Sequence, residues 1–242
     1  MKTDNLISPF YEVLIFLEDK GRISVKKIKS WGKTSSRGII GKLKALKLIY
    51  PEVIDGEEYF KLSDEGYVFL NNILDVLHKR TEHWDGKWRL LIFSVPEKER
   101  KRRDKFRRLI EAMGLKLLAN GLWLTPLDLK NEIIETANLM NFKNNILLIE
   151  CSQNNIFGLK TEDILKCWDF NASRKSFENF YKKSSEIFSS NSRKDNLKLK
   201  KVIFEYALIL KKEPRLPIEL FPKDWPKYRA NFIYQKIRRS IV

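Results

Sequence analysis

Ten cations stand between Lys20 and Lys47 (Lys20, Arg22, Lys26, Lys27, Lys29, Lys33, Arg37, Lys42, Lys44 and Lys47) with no carboxylate among them. Such a run recruits polyanions, because each phosphate it neutralises releases condensed counterions. Within it, the hydroxyls of Thr34, Ser35 and Ser36 precede Arg37, and this combination suits phosphate oxygens and guanine edges. Residues for covalent or hydrolytic chemistry are scarce. The two histidines, His78 and His83, lie in one polar stretch, and the two cysteines, Cys151 and Cys167, lie far apart. Neither a Ser/His or Cys/His pair nor a zinc cluster assembles from them. The expectation is a protein that is not an enzyme, with no catalytic residue, no metal and no cofactor.

The elements that must position those cations follow from length and pattern. A chain of 242 residues, 43% hydrophobic and 12% aromatic, can bury two or three separate cores. Its formal charge of +16 makes nucleic acid the first partner to consider. No apolar run reaches the roughly 20 residues of a membrane helix, and Met1 to Pro9 lack the apolar core of a signal peptide, so a cytoplasmic protein is expected. Residues 1–85 carry 14 basic and 13 acidic side chains, and are nearly neutral. The acid-free run therefore makes one surface of a neutral unit strongly positive, as a duplex-binding face requires.

Residues 1–80 read as that unit. Ser8 is placed to cap a helix with Val13, Leu14, Phe16 and Leu17 on its apolar stripe, and Gly21 to end it. Ser24 caps a second helix running to Trp31, Gly32 supplies a turn, and Thr34 or Ser35 starts a third helix running to about Leu48. This is the order of a helix-turn-helix. On the third helix Ile39, Leu43 and Leu46 share an inward face, while Thr34, Arg37, Gly41 and Lys44 point the other way. The expected DNA-binding residues are Lys26, Lys27, Lys33, Thr34, Ser35, Ser36, Arg37, Lys42, Lys44 and Lys47, with Arg37 setting base preference and Lys27 general affinity. Residues 49–62 read as two strands around Asp55-Gly56, a wing, followed by a helix from Ser63. Asp55, Glu57 and Glu58 at the wing tip should be repelled by phosphate, which leaves most of the contact to the third helix.

Residues 84–155 alternate strand (88–96), helix (97–113), two short strands around Asn120-Gly121, helix (127–140) and strand (145–150). That is the βαββαβ order of a ferredoxin-like unit. The run Trp84-Asp85-Gly86-Lys87-Trp88-Arg89-Leu90-Leu91-Ile92-Phe93-Ser94-Val95-Pro96-Glu97, then Arg102-Arg103, Phe106-Arg107-Arg108-Leu109, Met113-Gly114 and Gly121-Leu122-Trp123-Leu124-Thr125-Pro126, resembles the central domain of PaaX-type transcriptional repressors. That domain is itself similar to the small dimeric endonuclease of CRISPR adaptation. The resemblance implies a winged helix-turn-helix ahead of it and a homodimer that sets two recognition helices on a roughly palindromic site. The nuclease relatives carry an aspartate at the end of the first strand, where this chain has Ser94. A metal-dependent nuclease is the alternative reading, with Glu97 or Glu99 as substitute ligands. The cation-rich helix offers Arg100, Lys101, Arg103 and Arg107 as flanking DNA contacts.

Residues 160–242 read as a mainly helical C-terminal domain, giving an α+β protein of three units. Leu199, Val202, Ile203, Tyr206 and Leu210 fall at helical spacing. The series Leu216-Pro217, Leu220-Phe221-Pro222 and Asp224-Trp225-Pro226 is similar to the ending of PaaX-type proteins, with Lys227 where a glycine is frequent. Its prolines stop helices and Trp225 anchors the fold. The founding members of the family respond to an aryl-coenzyme A effector, but no glycine-rich phosphate loop or aromatic pocket in this sequence points to an acyl-CoA-like ligand. The expected function is a sequence-specific, double-stranded-DNA-binding regulator, a dimeric repressor.

Overall fold

Residues 7–30, 36–79, 81–152, 160–189 and 195–240 are described in the computed structural model. They form a mixed α+β protein that divides into two compact units. The first joins residues 1–79 with 174–213 and 226–242, and the second joins 80–173 with 214–225. Residues of the C-terminal third are shared between both units.

In the first unit α1 (Pro9–Lys20) buries Val13, Leu14, Ile15, Phe16 and Leu17, and Gly21 ends it at φ 76°. Ser8 occupies the N-cap position, but its side chain makes no capping bond. The chain continues through β1 (Ile23–Ser24), α2 (Val25–Ser30), α3 (Ser36–Ala45), β2 (Ile49–Ile54), β3 (Glu57–Leu62) and α4 (Asp64–Leu74). The three strands pair antiparallel in the order β1-β3-β2. Asp55 and Gly56 close the β2–β3 hairpin with φ 49° and 77°, the double positive φ of a type I′ turn. Ser63 Oγ accepts from Gly66 N at 3.0 Å and caps α4. Gly66 admits no side chain, since a Cβ there would lie 2.3 Å from the Leu48 carbonyl oxygen.

The third helix is shorter than its hydrophobic spacing predicts. It stops at Ala45, and Lys47 adopts φ 56° in the turn that follows. Leu46 is consequently 50% exposed, and Leu48, beyond the turn, takes the expected place in the core at 4%.

That core continues into α9 (Asn196–Leu210), whose Phe204 and Ala207 join the residues of α1, α3, α4 and the sheet. Lys200 pairs with Glu18 and Asp19 at 2.9 Å, and Lys201 pairs with Glu12, so lysines of α9 neutralise the acidic side of α1. Tyr206, also on α9, stacks on Tyr234 of α10 (Lys227–Arg238) and meets Phe177 and Phe180 of α8 (Phe170–Ser189). A helix apolar on more than one side must be covered on more than one side. This is why the C-terminal helices complete the first unit.

Glu205, on the same helix, has one carboxylate oxygen buried without a hydrogen bond among the described residues. Burial pushes its carboxyl from the ordinary 4.5 up to about 7, against the pull of Lys183. The unfolded chain releases this proton near 4.5 and the folded chain near 7, so stability declines as pH rises between those values. Glu205→Gln, with no charge to bury, is expected to raise the unfolding free energy at pH 8 by roughly 2 kcal/mol, below the full linkage value because the side chain is only partly enclosed. Denaturant titrations at pH 5 and pH 8 check this, and an equal gain at both would clear the carboxyl of responsibility.

The second unit is built on β4 (Lys87–Phe93), α5 (Arg100–Met113), β5 (Lys116–Ala119), β6 (Leu122–Thr125), α6 (Lys130–Leu139) and β7 (Ile146–Ser152). Its sheet runs β5-β6-β4-β7, all antiparallel, which is the ferredoxin-like order. Two departures from the expected helices arise locally. Glu97–Glu99 form a 3-10 turn ahead of α5, and Leu127 and Leu129 are buried before α6 begins. One sheet face packs Leu91, Phe93 and Trp123 against Phe106 and Ile110 of α5 and Ile133 and Ala137 of α6. The opposite face packs Trp88 and Leu124 against Ile164 of α7 (Thr161–Leu165), Trp168, Leu216 and Leu220. Trp225 meets Phe170 and Phe221 edge-on or tilted, which makes it the anchor its neighbouring prolines implied.

Candidate nucleic-acid interface

Ser24 Oγ accepts from Lys27 N at 3.2 Å and starts α2, with Ile28 buried beneath it. Leu43 is the fully buried anchor of α3, and Ile39 and Ile40 pack beside it. Gly41 lies exposed with open space around its Cβ position, on the outward side of the helix. Ser36 and Arg37 open α3, with side chains outside the described residues, and Lys33, Thr34 and Ser35 lie outside them altogether.

The cations that are described do not all stand free. The Lys26 ammonium pairs with Glu57 at 2.5 Å, which raises the lysine pKa and lowers that of the carboxyl. Lys44 lies 3.5 Å from Glu58 and 4.7 Å above the Phe60 ring. Lys27 sits 4.7 Å over Phe16, and Lys42 sits 5.1 Å over Phe10, in a cluster that also holds Tyr11 and Phe69. Lys47 is exposed in its turn, and its carbonyl accepts from Ser63 Oγ at 2.6 Å. Lys26 and Lys44 are thus charge-paired by the hairpin whose acids, judged by charge alone, only repel phosphate.

A second run of cations lies on α5. Arg103, 19% exposed, donates to Glu97 at 2.7 Å; Arg102 pairs with Glu99 and lies 4.8 Å over Phe142. Arg100 lies 3.9 Å from both Glu97 and Asp104, and Arg107 lies 3.9 Å from Asp104. Lys101, Lys105 and Arg108 lie exposed along one side of the helix, and among the described residues none meets a carboxylate within 4 Å. Of the four flanking contacts expected from sequence, Lys101 alone belongs to this open stripe, which Lys105 and Arg108 of the same cation run complete. Assigning the acids Glu97, Glu99 and Asp104 to their nearest arginines by helical spacing would have revealed the remainder.

Ser94 follows β4 with its backbone tied to Asn145 by two hydrogen bonds, and the nearby Glu97 and Glu99 are engaged by arginines. Among the described residues no group of three or more His, Cys, Asp or Glu is arranged to hold a metal. The thiols of Cys151 and Cys167 are pushed up by burial, away from reactivity. No helix among the described residues is long and apolar enough to cross a membrane.

The motif at the head of the second unit is structural. Arg89, almost buried, donates to Asp85, lies 3.3 Å from Glu150, and donates to the Pro126 carbonyl at 3.1 Å. Its guanidinium holds the Asp85 carboxyl below the usual range. Trp84 packs on Trp88, and Gly86 at φ 76° makes the turn between them. Beyond, the described residues leave an apolar area of the sheet exposed: Ile92 (40% exposed) pairs with Leu147 (55%), and Ile149 (39%) follows on the same side of β7.

Residues 81–161 match the pattern of the PaaX protein central Cas2-like domain, and residues 168–242 that of the PaaX-like protein C-terminal domain. Among solved structures, the chain is similar to an uncharacterized protein, Rv0674, from Mycobacterium tuberculosis, with 16% identity over 98% of this chain and 96% of that one and a TM-score of 0.57. At that identity the likeness speaks to fold. No curated protein matches.

Proposed function

For a chain that belongs to the PaaX-type family with its Cas2-like central domain, we propose the work of a dimeric transcriptional repressor that reads double-stranded DNA through an N-terminal winged helix-turn-helix. The family domains point to a transcriptional regulator, and the reading head lies ahead of the matched region. Its main support is one combination: β1, α2 and α3 lie inside the acid-free stretch from Lys20 to Lys47, between α1 and the β2–β3 hairpin that completes the β1-β3-β2 sheet. Leu43 turns the apolar side of α3 inward, and this leaves the Arg37, Gly41 and Lys44 side to meet a major groove. Lys101, Lys105 and Arg108 supply flanking phosphate contacts. At 1.5 Å per residue they span about 10 Å, close to three nucleotide steps of one strand at 3.4 Å each.

The second copy of the chain is assigned to the open sheet face. Ile92, Leu147 and Ile149 form an apolar area on the edge strand β7 and its neighbour, and a two-fold contact covers the same patch on both subunits. Selection of duplexes from a random pool at physiological salt tests the whole reading. Enrichment of an inverted repeat, with half-sites one helical turn or a multiple apart, is the expected result. Retention of all sequences alike, lost steeply with salt, would reduce the protein to a non-specific polyanion binder.

A further inference from the structure

Glu57 and Glu58 are consecutive residues at the start of β3. Successive side chains of a strand point to opposite faces, so these two serve different helices. Glu57 reaches Lys26 of α2 and also accepts from the Tyr59 hydroxyl at 3.5 Å, with Arg22 lying 5.6 Å over the Tyr59 ring. Glu58 reaches Lys44 of α3, whose ammonium also rests over Phe60 two residues along the same face. The pairing of Ile23 and Ser24 with Phe60 and Tyr59 fixes this arrangement, because α2 leaves β1 directly beside the start of β3.

We infer that Glu57 and Glu58 are built-in counterions of the DNA face: they occupy Lys26 and Lys44 in the free protein and thereby set how tightly it holds a duplex. The inference rests on the reading of α2 and α3 as DNA-contacting elements. Both pairs are open to solvent, with Lys26 81% and Lys44 43% exposed, and exposed pairs of this kind contribute little to stability. An incoming phosphate must compete with a carboxylate for either lysine. Two cations of the run are thus neutralised before a duplex arrives, and two anions sit where phosphates would bind. Both effects weaken binding, and both vanish together when the carboxylates are made neutral.

The test compares the full-length protein with Glu57→Gln/Glu58→Gln on the duplex recovered by selection, across salt from about 0.05 to 0.3 M, the range over which phosphate contacts dominate affinity. Two newly available lysines should steepen the slope of log K against log salt by nearly two and tighten binding at physiological salt by roughly tenfold. Asp55→Asn removes a charge from the same hairpin without freeing a lysine among the described residues, and it should leave the slope nearly unchanged. Thermal melting of each variant reports on folding. An unchanged slope in the double variant overturns the inference. So does weaker binding, which would make the carboxylates structural props of α2 and α3. If the unaltered protein binds no duplex, the regulator reading falls and the inference goes with it. If it binds and the double variant matches it, only the counterion role is lost.

Discussion

Ile149→Glu is expected to yield a folded monomer that has lost about 100-fold or more of its affinity for a two-half-site duplex, with each half-site contact unchanged. In the single chain this side chain stands partly in water on the open sheet face, so a carboxylate there stays solvated and costs the fold little. In the proposed two-fold contact it would be buried next to Leu147 and against its own copy, two like charges in an apolar setting. The large effect on DNA is expected because the proposed dimer would engage two half-sites, with the second contact formed at high effective concentration; separate subunits would lose that gain, which commonly reaches 10² to 10⁴. Leu139→Glu is the control, since Leu139 is 87% exposed at the end of α6 and not on the sheet. Sedimentation of both variants decides the matter: a dimeric Ile149→Glu would move the subunit contact to another surface.

Arg37→Ala is expected to cost about 1–3 kcal/mol on the preferred duplex and to flatten selectivity at one base pair in each half-site, because a bidentate arginine contact to guanine is worth that much discrimination. Arg37 lies in the first turn of α3, and buried Leu43 directs the opposite side of that helix into the core. Lys101→Ala, on the exposed side of α5, should weaken all duplexes alike and lower the salt slope by about one. Repeating the duplex selection with each variant separates the two roles. If Arg37→Ala returns the same base preferences as the unaltered protein, α3 does not read the groove through that side chain.

The hairpin was legible because Asp55-Gly56 admits the positive φ pair that its turn needs, and the strands of the second unit were legible from their β-branched and aromatic runs. The fully buried Leu43 was legible from helical spacing, whereas Leu46 was not. Spacing cannot show that Lys47 takes a left-handed conformation and ends the helix one turn early, turning Leu46 outward and handing its place to Leu48. The helices of the C-terminal third were visible, but not their destination. Helical periodicity marks which side of α9 is apolar without saying that Phe204 and Ala207 will meet α1 and α4, more than 120 residues earlier in the chain.

The sequence by itself determined the charge and its placement: an acid-free run of ten cations ahead of a hairpin, and a second unit whose strand and helix order is that of a ferredoxin-like sheet. These are local properties, set by residue type, spacing and turn chemistry. Only the tertiary structure decided which cations remain available. Whether a lysine meets a carboxylate depends on strand register and on which face of β3 each glutamate occupies, and so Lys26 and Lys44 are paired while Lys101 stands open.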